Sequence, residues 1–186
     1  MAFVPIASVD RSAFRWLRSA QHPTAFSLLS GDSPVARLAW SRPTGSAAIA
    51  TSAEGSWTLE HRGFLNPTVV VRAEGQRTPI ARLTAHVNHH TIEVAGGSTY
   101  RLHRAGMLLP AWKVTSANGE EVLHIEPAAE GRNLVAGAVL PSASETARAD
   151  LLVLVLLSWY FVVLAWFEDE TIRPLEQLQE AAPGYL

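Results

Sequence analysis

Seven basic side chains are spaced so that they could together bind an anion. Most lie at the polar positions of stretches that alternate between apolar and polar residues, and a strand turns alternate side chains to opposite faces of its sheet. Clustered basic side chains hold phosphorylated headgroups through charge-assisted hydrogen bonds, as at anionic membrane surfaces. The candidate binding residues are Arg37, Arg62, Arg72, Arg77, Arg82, Arg101 and Lys113.

A solubilising surface would contain the same residues. Glu60, Glu74 and Glu93 are interleaved among the basic residues and could neutralise them. Over the whole chain, residues 1–113 carry 12 basic and 6 acidic residues, whereas residues 114–186 carry 3 basic and 11 acidic ones. This asymmetry fits either a surface for anions or membranes, or two solvated faces that attract each other.

Histidines and acids also cluster, but in patterns that do not suit a metal. His86, His89 and His90 fall in a predicted turn, and only a helix would align two of them four residues apart on one face. We interpret them as solvated turn histidines. The acids of residues 168–170 would point in different directions at a helix end, so we interpret them as a solvated terminus that ends an apolar run. No metal site is predicted.

Features of enzymes are scarce in the sequence. It contains no cysteine, which excludes disulfides, zinc thiolates and thiol catalysis. No glycine-rich phosphate loop, nucleophile elbow or spaced carboxylate pair is present. We therefore expect a protein that is not an enzyme and uses no cofactor. We also expect no nucleic-acid partner, and the sequence does not identify a protein partner.

The elements that must position the basic residues are strands. Asp10 could cap a short amphipathic helix over residues 9–20, with three arginines on one side. After this helix, short alternating segments are separated by Gly, Pro, Asn and Asp, as in an all-β sandwich or barrel. The predicted strands are 24–30, 34–41, 46–52, 57–62, 68–73, 79–86, 90–95, 99–104, 111–116, 120–126 and 132–140.

An internal repeat runs through these strands. WTLEHRGFLNP (57–67) aligns without gaps on YRLHRAGMLLP (100–110) at an offset of 43 residues, and an N-terminal copy is degenerate. The hairpin glycines Gly31, Gly75 and Gly119 are each 44 residues apart. A repeat of this length with about four strands suggests a segment of a closed sheet.

The most apolar segment of the chain is LLVLVLLSWYFVVLAWF, residues 151–167. As a helix it would be about 25 Å long, shorter than the roughly 30 Å of bilayer hydrocarbon, and acids rather than cations flank it. A barrel of eleven or twelve strands has a lumen about wide enough for one helix. We therefore predict a closed antiparallel barrel of about 11–12 strands around this hydrophobic helix, plus the short N-terminal helix.

These features together resemble the tubby C-terminal-like superfamily, which includes tubby proteins, phospholipid scramblases, LURP-one-related proteins and small bacterial members. The resemblance rests on the aromatic-x-Leu…Gly-[Phe/Met]-Leu-x-Pro units at 57–67 and 100–110, the hairpin glycines, and the apolar segment between Asp150 and Glu168. It covers about residues 24–170 and implies a twelve-stranded barrel around a central helix. Neither a scramblase-type calcium loop nor the phosphoinositide-binding residues of tubby proteins can be placed in this sequence.

The predicted organisation is a lead-in with the amphipathic helix (1–23), a barrel with its central helix (24–170) and a polar C-terminal tail (171–186). The predicted function is non-enzymatic, with anionic phospholipid bound at a basic outer surface of a cytoplasmic, membrane-associated protein. Two alternatives stay open. One is a single-pass membrane protein anchored by 151–167, with a sensory or interaction domain; the other is a structural or partner-binding module without a small ligand.

Overall fold

The chain folds into one closed β-barrel. The structure, a computed structural model, describes residues 2–10, 12–41, 46–63, 67–105, 111–130, 133–142 and 150–180, and for 167–180 it describes only the backbone. Twelve antiparallel strands are joined in chain order, and the barrel closes where β1 pairs with both β2 and β12. The strands are β1 (Phe14–Arg18), β2 (Ala25–Ser30), β3 (Ser33–Trp40), β4 (Ala47–Ser52), β5 (Gly55–Arg62), β6 (Thr68–Ala73), β7 (Ala81–Ala85), β8 (His90–Val94), β9 (Thr99–Ala105), β10 (Ala111–Ser116), β11 (Glu121–Glu130) and β12 (Asn133–Pro141).

All eleven predicted strands are present as β2 to β12, most with ends within two residues of the predicted bounds. The alternation of buried and more exposed residues along each strand shows which of its faces is directed towards the core. On β5, Trp57 and Leu59 are buried, whereas Thr58 and Glu60 between and beside them are more exposed. This pattern follows from the period of two along a strand when only one face of the sheet is covered. The predicted fold class is confirmed.

The helix predicted over residues 9–20 is wrong. Residues 14–18 form β1, in which Phe14 and Trp16 are 2% and 0% exposed while Arg15 between them is exposed. The Asp10 carboxylate accepts a hydrogen bond from the Ser12 backbone at 2.9 Å and thus forms a local turn. Pairing with β2 and β12 outweighs the helical spacing of the arginines, since tertiary contacts routinely override local propensity. The only helical turn in residues 2–10 is a 3₁₀ turn at Ile6–Ser8.

A single long helix, α1 (Leu151–Glu180), fills the barrel with its first half. The residues from 154 to 160 are each at most 1% exposed. Seven consecutive residues make almost two helical turns, so their side chains point in every direction around the axis. A helix that is buried on all sides must be enclosed, and the strands are what encloses it. The prediction that the apolar helix is the core of its own barrel is therefore confirmed for residues 151–166, which are mostly buried up to Val163 and partly buried beyond it.

The helix is longer than predicted. Its backbone continues through residues 168–180, where the sequence indicated an acidic terminus and a polar tail. Residues 181–186 of the predicted tail lie outside the described part of the chain. Within the part that is described, no helix combines enough length with enough hydropathy to cross a bilayer.

Aromatic side chains from the strands fix the helix in place. The indole of Trp159 stacks on that of Trp16, with ring centroids 5.6 Å apart, and Phe26 meets its edge at 5.5 Å. Tyr160 stacks on Trp40 at 5.4 Å. Its hydroxyl donates a hydrogen bond of 2.5 Å to the Ser46 carbonyl. Burial raises the pKa of the Tyr160 hydroxyl, so this group stays a neutral donor.

The two ends of the barrel are distinguished by where the helix begins and where it leaves. At the first, which we call the Asp150 end, the Tyr100 hydroxyl donates a hydrogen bond to the Asp150 carboxylate. At the other, the His90 end, the His90 ring packs on Phe161 with ring centroids 4.2 Å apart. The lumen between these two ends is occupied by the helix.

The sequence repeat corresponds to a repeat of four strands. Its two clear copies lie on β5 and β9, which are four strands apart. Gly31, Gly75 and Gly119 occupy the β2–β3, β6–β7 and β10–β11 connections, and each has a positive φ (56°, 73° and 84°). A tight turn at these positions requires a left-handed backbone, which glycine adopts without steric cost. The barrel is thus built from three similar units of four strands.

Candidate anion-binding surface

All seven predicted basic residues lie on the outside of the barrel or in a connection, as the alternation indicated. Six lie on strands. Five of these are flanked by inward-facing residues, and Arg62 is the last residue of its strand. Arg77 lies in the connection between β6 and β7. They are distributed as Arg37 on β3, Arg62 on β5, Arg72 on β6, Arg82 on β7, Arg101 on β9 and Lys113 on β10.

Two of these residues share one carboxylate. On the outer face of β5 and β6, Glu60 Oε2 lies 2.5 Å from a terminal nitrogen of Arg62 and 3.2 Å from Arg72 Nη1. The hydrogen bond from Arg62 is the main reason that the pKa of the Glu60 carboxyl lies below its usual value, and Arg72 acts in the same direction. Glu60 is therefore a fixed negative charge that holds two guanidinium groups side by side.

Two further arginines adjoin this pair. Arg72 Nε donates a hydrogen bond of 3.2 Å to the backbone carbonyl of Arg77, which places residue 77 against the outer end of β6. On β7, Arg82 is opposite Val70 of β6, two residues from Arg72 on the same face. Such diagonal neighbours lie roughly 7–8 Å apart, within reach of long side chains. We call Arg62, Arg72, Arg77 and Arg82 the basic patch.

The other three predicted residues do not join this patch. Arg37 lies on β3, and Lys113 on β10 is nearly opposite to it around the twelve strands. Lys113 is also paired, at 2.6 Å, with Glu121 of β11. Arg101 on β9 is flanked by threonines, Thr91 of β8 and Thr115 of β10. The predicted set of seven therefore separates into one patch of four and three scattered cations.

The histidine turn differs from its interpretation as wholly solvated. His86 is exposed and stacks on His89 with ring centroids 4.9 Å apart. His90 instead faces inward at the start of β8, where it is partly buried between Phe161 of the helix and Trp112 of β10. The missed signal was Ile92, a buried residue two positions along the same strand and hence on the same face. Across the described residues, no three His, Asp or Glu side chains are grouped so that they could hold a metal ion.

Acid should destabilise the barrel through His90. Burial, reinforced by His89 and His86, lowers the pKa of His90 from 6.5 to about 4. The unfolded chain binds this proton at higher pH than the folded one, so stability is complete above pH 6.5 and is lost as the pH falls towards 4. A pKa shift of this size corresponds to roughly 3 kcal/mol in the free energy of unfolding. Because the ring is partly exposed to solvent, we expect a loss of about 2 kcal/mol.

Urea unfolding at pH 7.5 and pH 4 measures this loss. His90→Phe should remove most of the difference between the two pH values, because phenylalanine fills the same site without a titrating group. His22→Gln, which removes an exposed imidazole from the β1–β2 connection, is the control. An equal pH dependence in His90→Phe and the unchanged protein would show that His90 does not cause it.

Comparisons with known proteins give no relative. No protein-family profile, curated protein or solved structure matches the chain. The resemblance to the tubby C-terminal-like superfamily therefore stays a prediction, and the geometry described above must support any function.

Proposed function

We propose that the protein is a non-enzymatic binding barrel that takes anionic phospholipid headgroups at the basic patch. The observation that carries this proposal is the grouping of four arginines on three adjacent strands and one connection, where Arg62 and Arg72 share the carboxylate of Glu60. Glu74 lies near Arg77 in the same connection and leaves a net positive charge on the patch. The protein would be cytoplasmic and would associate with the membrane surface from outside.

Arginine suits this role because its planar guanidinium presents paired N–H donors to phosphate oxygens. Glu60 does not block such contacts. An exposed ion pair contributes only about 0–1 kcal/mol, so Arg62 can turn from Glu60 to a phosphate at small cost. Arg72 is only 20% exposed and is held by Glu60 and the Arg77 carbonyl, so it contributes its charge from a fixed position. Arg62 is 60% exposed in its side chain, and its guanidinium is therefore accessible to a surface that approaches from solvent.

The filled lumen supports an external site as well. The helix side chains from 154 to 160 are buried against the strands that surround them, so a ligand meets the outer surface of the barrel first. A curved, rigid sheet is also a good scaffold for the patch, since every strand around it is paired on both sides. Arginines held on paired strands lose less freedom on binding than arginines on a mobile segment would.

Flotation with vesicles of phosphatidylcholine, with and without anionic lipid, tests the proposal. The unchanged protein should float only with anionic vesicles and less so at high salt, since exposed charges are screened. Arg72→Gln with Arg82→Gln should weaken binding about 30-fold, because each basic residue near an anionic surface contributes about 1 kcal/mol.

The matched control is Arg37→Gln with Arg101→Gln, which removes the same charge from the outer surface but from outside the patch. We expect less than a threefold change in this variant. Equal losses in the two double variants would indicate a diffuse charge effect in place of a site. No binding of the unchanged protein to any anionic lipid would end the proposal.

A further inference from the structure

A shallow pocket lies beside the basic patch, where β7 and β8 reach the Asp150 end of the barrel. Its volume is about 250 Å³. Its lining combines apolar residues with two charged ones, Arg82 and Glu93. The apolar part includes Pro79, Ile80, Val94 and Ala95.

The two charged residues are direct cross-strand partners on the outer face. Arg82 of β7 is opposite Glu93 of β8 in the antiparallel register, and both are exposed. Directly opposed residues have Cβ atoms roughly 4.5–5.5 Å apart, close enough for an ion pair. Within the described part of the chain, however, neither side chain forms an ion pair or a side-chain hydrogen bond. A cation and an anion thus face the same pocket with their bonding groups free.

We propose that this pocket takes a phosphorylated primary amine, and that its source is the headgroup of an aminophospholipid. This inference rests on the proposed function and narrows the class of lipid. The phosphate would meet Arg82, with Arg72 diagonal to it on β6. The ammonium would meet Glu93 on the opposite side, away from the basic patch.

The charges of Arg82 and Glu93 determine which headgroup the pocket would prefer. A primary ammonium has three N–H donors for a carboxylate, whereas the quaternary ammonium of choline has none. Hydroxylated headgroups such as glycerol or inositol carry no positive charge, so Glu93 would repel the phosphate without an attraction to offset it. In a headgroup of the ethanolamine or serine type, two carbons separate the phosphate oxygen from the nitrogen, a span comparable to the distance between opposed residues.

Arg82 and Glu93 would also attract each other, but this attraction competes weakly. An exposed pair of opposite charges contributes about 0–1 kcal/mol. A ligand that places its phosphate on Arg82 and its ammonium on Glu93 forms two charge-assisted contacts, and such contacts are roughly twice as strong as neutral hydrogen bonds.

Phosphatidylserine and phosphatidylglycerol in a phosphatidylcholine background give the sharpest test, because both carry one net negative charge and only the first has an ammonium. The full-length protein should bind serine vesicles about tenfold more tightly than glycerol vesicles, as expected for one hydrogen-bonded charge. Glu93→Gln should act in opposite directions on the two lipids. Binding to phosphatidylserine should weaken, and binding to phosphatidylglycerol should strengthen, because a repelling carboxylate is gone.

Glu74→Gln is the control, since it removes the same charge from the adjacent β6–β7 connection, outside the pocket wall. It should strengthen binding to both lipids alike. Equal binding of the two lipids, with Glu93→Gln strengthening both, would overturn the inference and leave the proposed function intact. No binding to any anionic vesicle would overturn the proposed function.

Soluble ethanolamine phosphate separates a lipid source from a free ligand. Calorimetric binding of this compound that Glu93→Gln abolishes, without vesicle binding by the unchanged protein, would support the pocket chemistry and reject the membrane source. Vesicle binding that this compound displaces in the unchanged protein would support both. If the compound neither binds nor displaces serine vesicles, and serine shows no preference over glycerol, the pocket does not recognise the amine.

Discussion

A chain that ends after Ala149 is expected to fail to fold and to aggregate. The truncation removes ten buried apolar side chains between Leu151 and Val163. Each contributes roughly 1.5–3 kcal/mol on burial, so together they exceed the 5–15 kcal/mol by which a domain of this size is stable. The strands would also lose the helix rings on which they pack, because Trp16 and Phe26 contact Trp159 and Trp40 contacts Tyr160.

The soluble yield of residues 1–149 and their circular dichroism measure this effect. The control ends after Glu170 and retains the whole enclosed part of the helix, so it should be soluble and folded. A membrane anchor predicts the opposite result, because a sensory domain folds without its anchor. Soluble, cooperatively unfolding 1–149 would therefore show that the barrel does not need the helix and would favour the single-pass alternative.

The position of this helix was predictable because its sequence suits neither a bilayer nor the surface of a protein. It is too short and too acidic at its flanks to suit a bilayer, yet apolar on every side. The strands supplied the remaining information, since their number fixes the width of the lumen. Alternation of apolar and polar residues likewise predicted β2 to β12, because one face of each strand is covered by the helix and the other meets solvent.

The N-terminal strand was missed because its local spacing also suits a helix. Three arginines at intervals of three and four residues resemble a helical face, and nothing local excludes it. The repeat contained the correct answer. Phe14, Trp57 and Tyr100 are each 43 residues apart, and all three are buried at the corresponding places of β1, β5 and β9. The degenerate N-terminal copy is therefore a full unit of four strands that retains the buried aromatic Phe14 and the hairpin glycine Gly31.

The direction in which the basic side chains point was predictable from the sequence, but their grouping was not. Parity along each strand placed Arg82 and Glu93 on the outer face from sequence alone. Whether two outward residues meet depends on register and on how the barrel closes, and neither is encoded in local periodicity. The sequence therefore could not show that Arg62 and Arg72 share Glu60, or that Arg37 lies far from Lys113.

Gly137→Ala is expected to destabilise the protein by about 3 kcal/mol, although it adds one methyl group. Gly137 is on β12, directly under the indole ring of Trp159, and a Cβ built there overlaps the ring. The ring has little freedom to move, since Trp159 is 0% exposed and stacks on Trp16. Overpacking a fixed core costs about 1–3 kcal/mol, and the severity of this overlap favours the upper end.

Thermal unfolding should report this loss as a decrease of roughly 6–12 °C in Tm, given 2–4 °C for each kcal/mol in a protein of this size. Ala138→Val, which adds methyl groups to the neighbouring outward-facing residue of the same strand, is the control and should change Tm little. Trp159→Leu alone should also destabilise, through a cavity. If the overlap is the cause, Gly137→Ala in the Trp159→Leu background should cost less than 1 kcal/mol more, because the added methyl then occupies vacated space. A strictly additive double variant would show that the glycine is required for its backbone and not for contact with the helix.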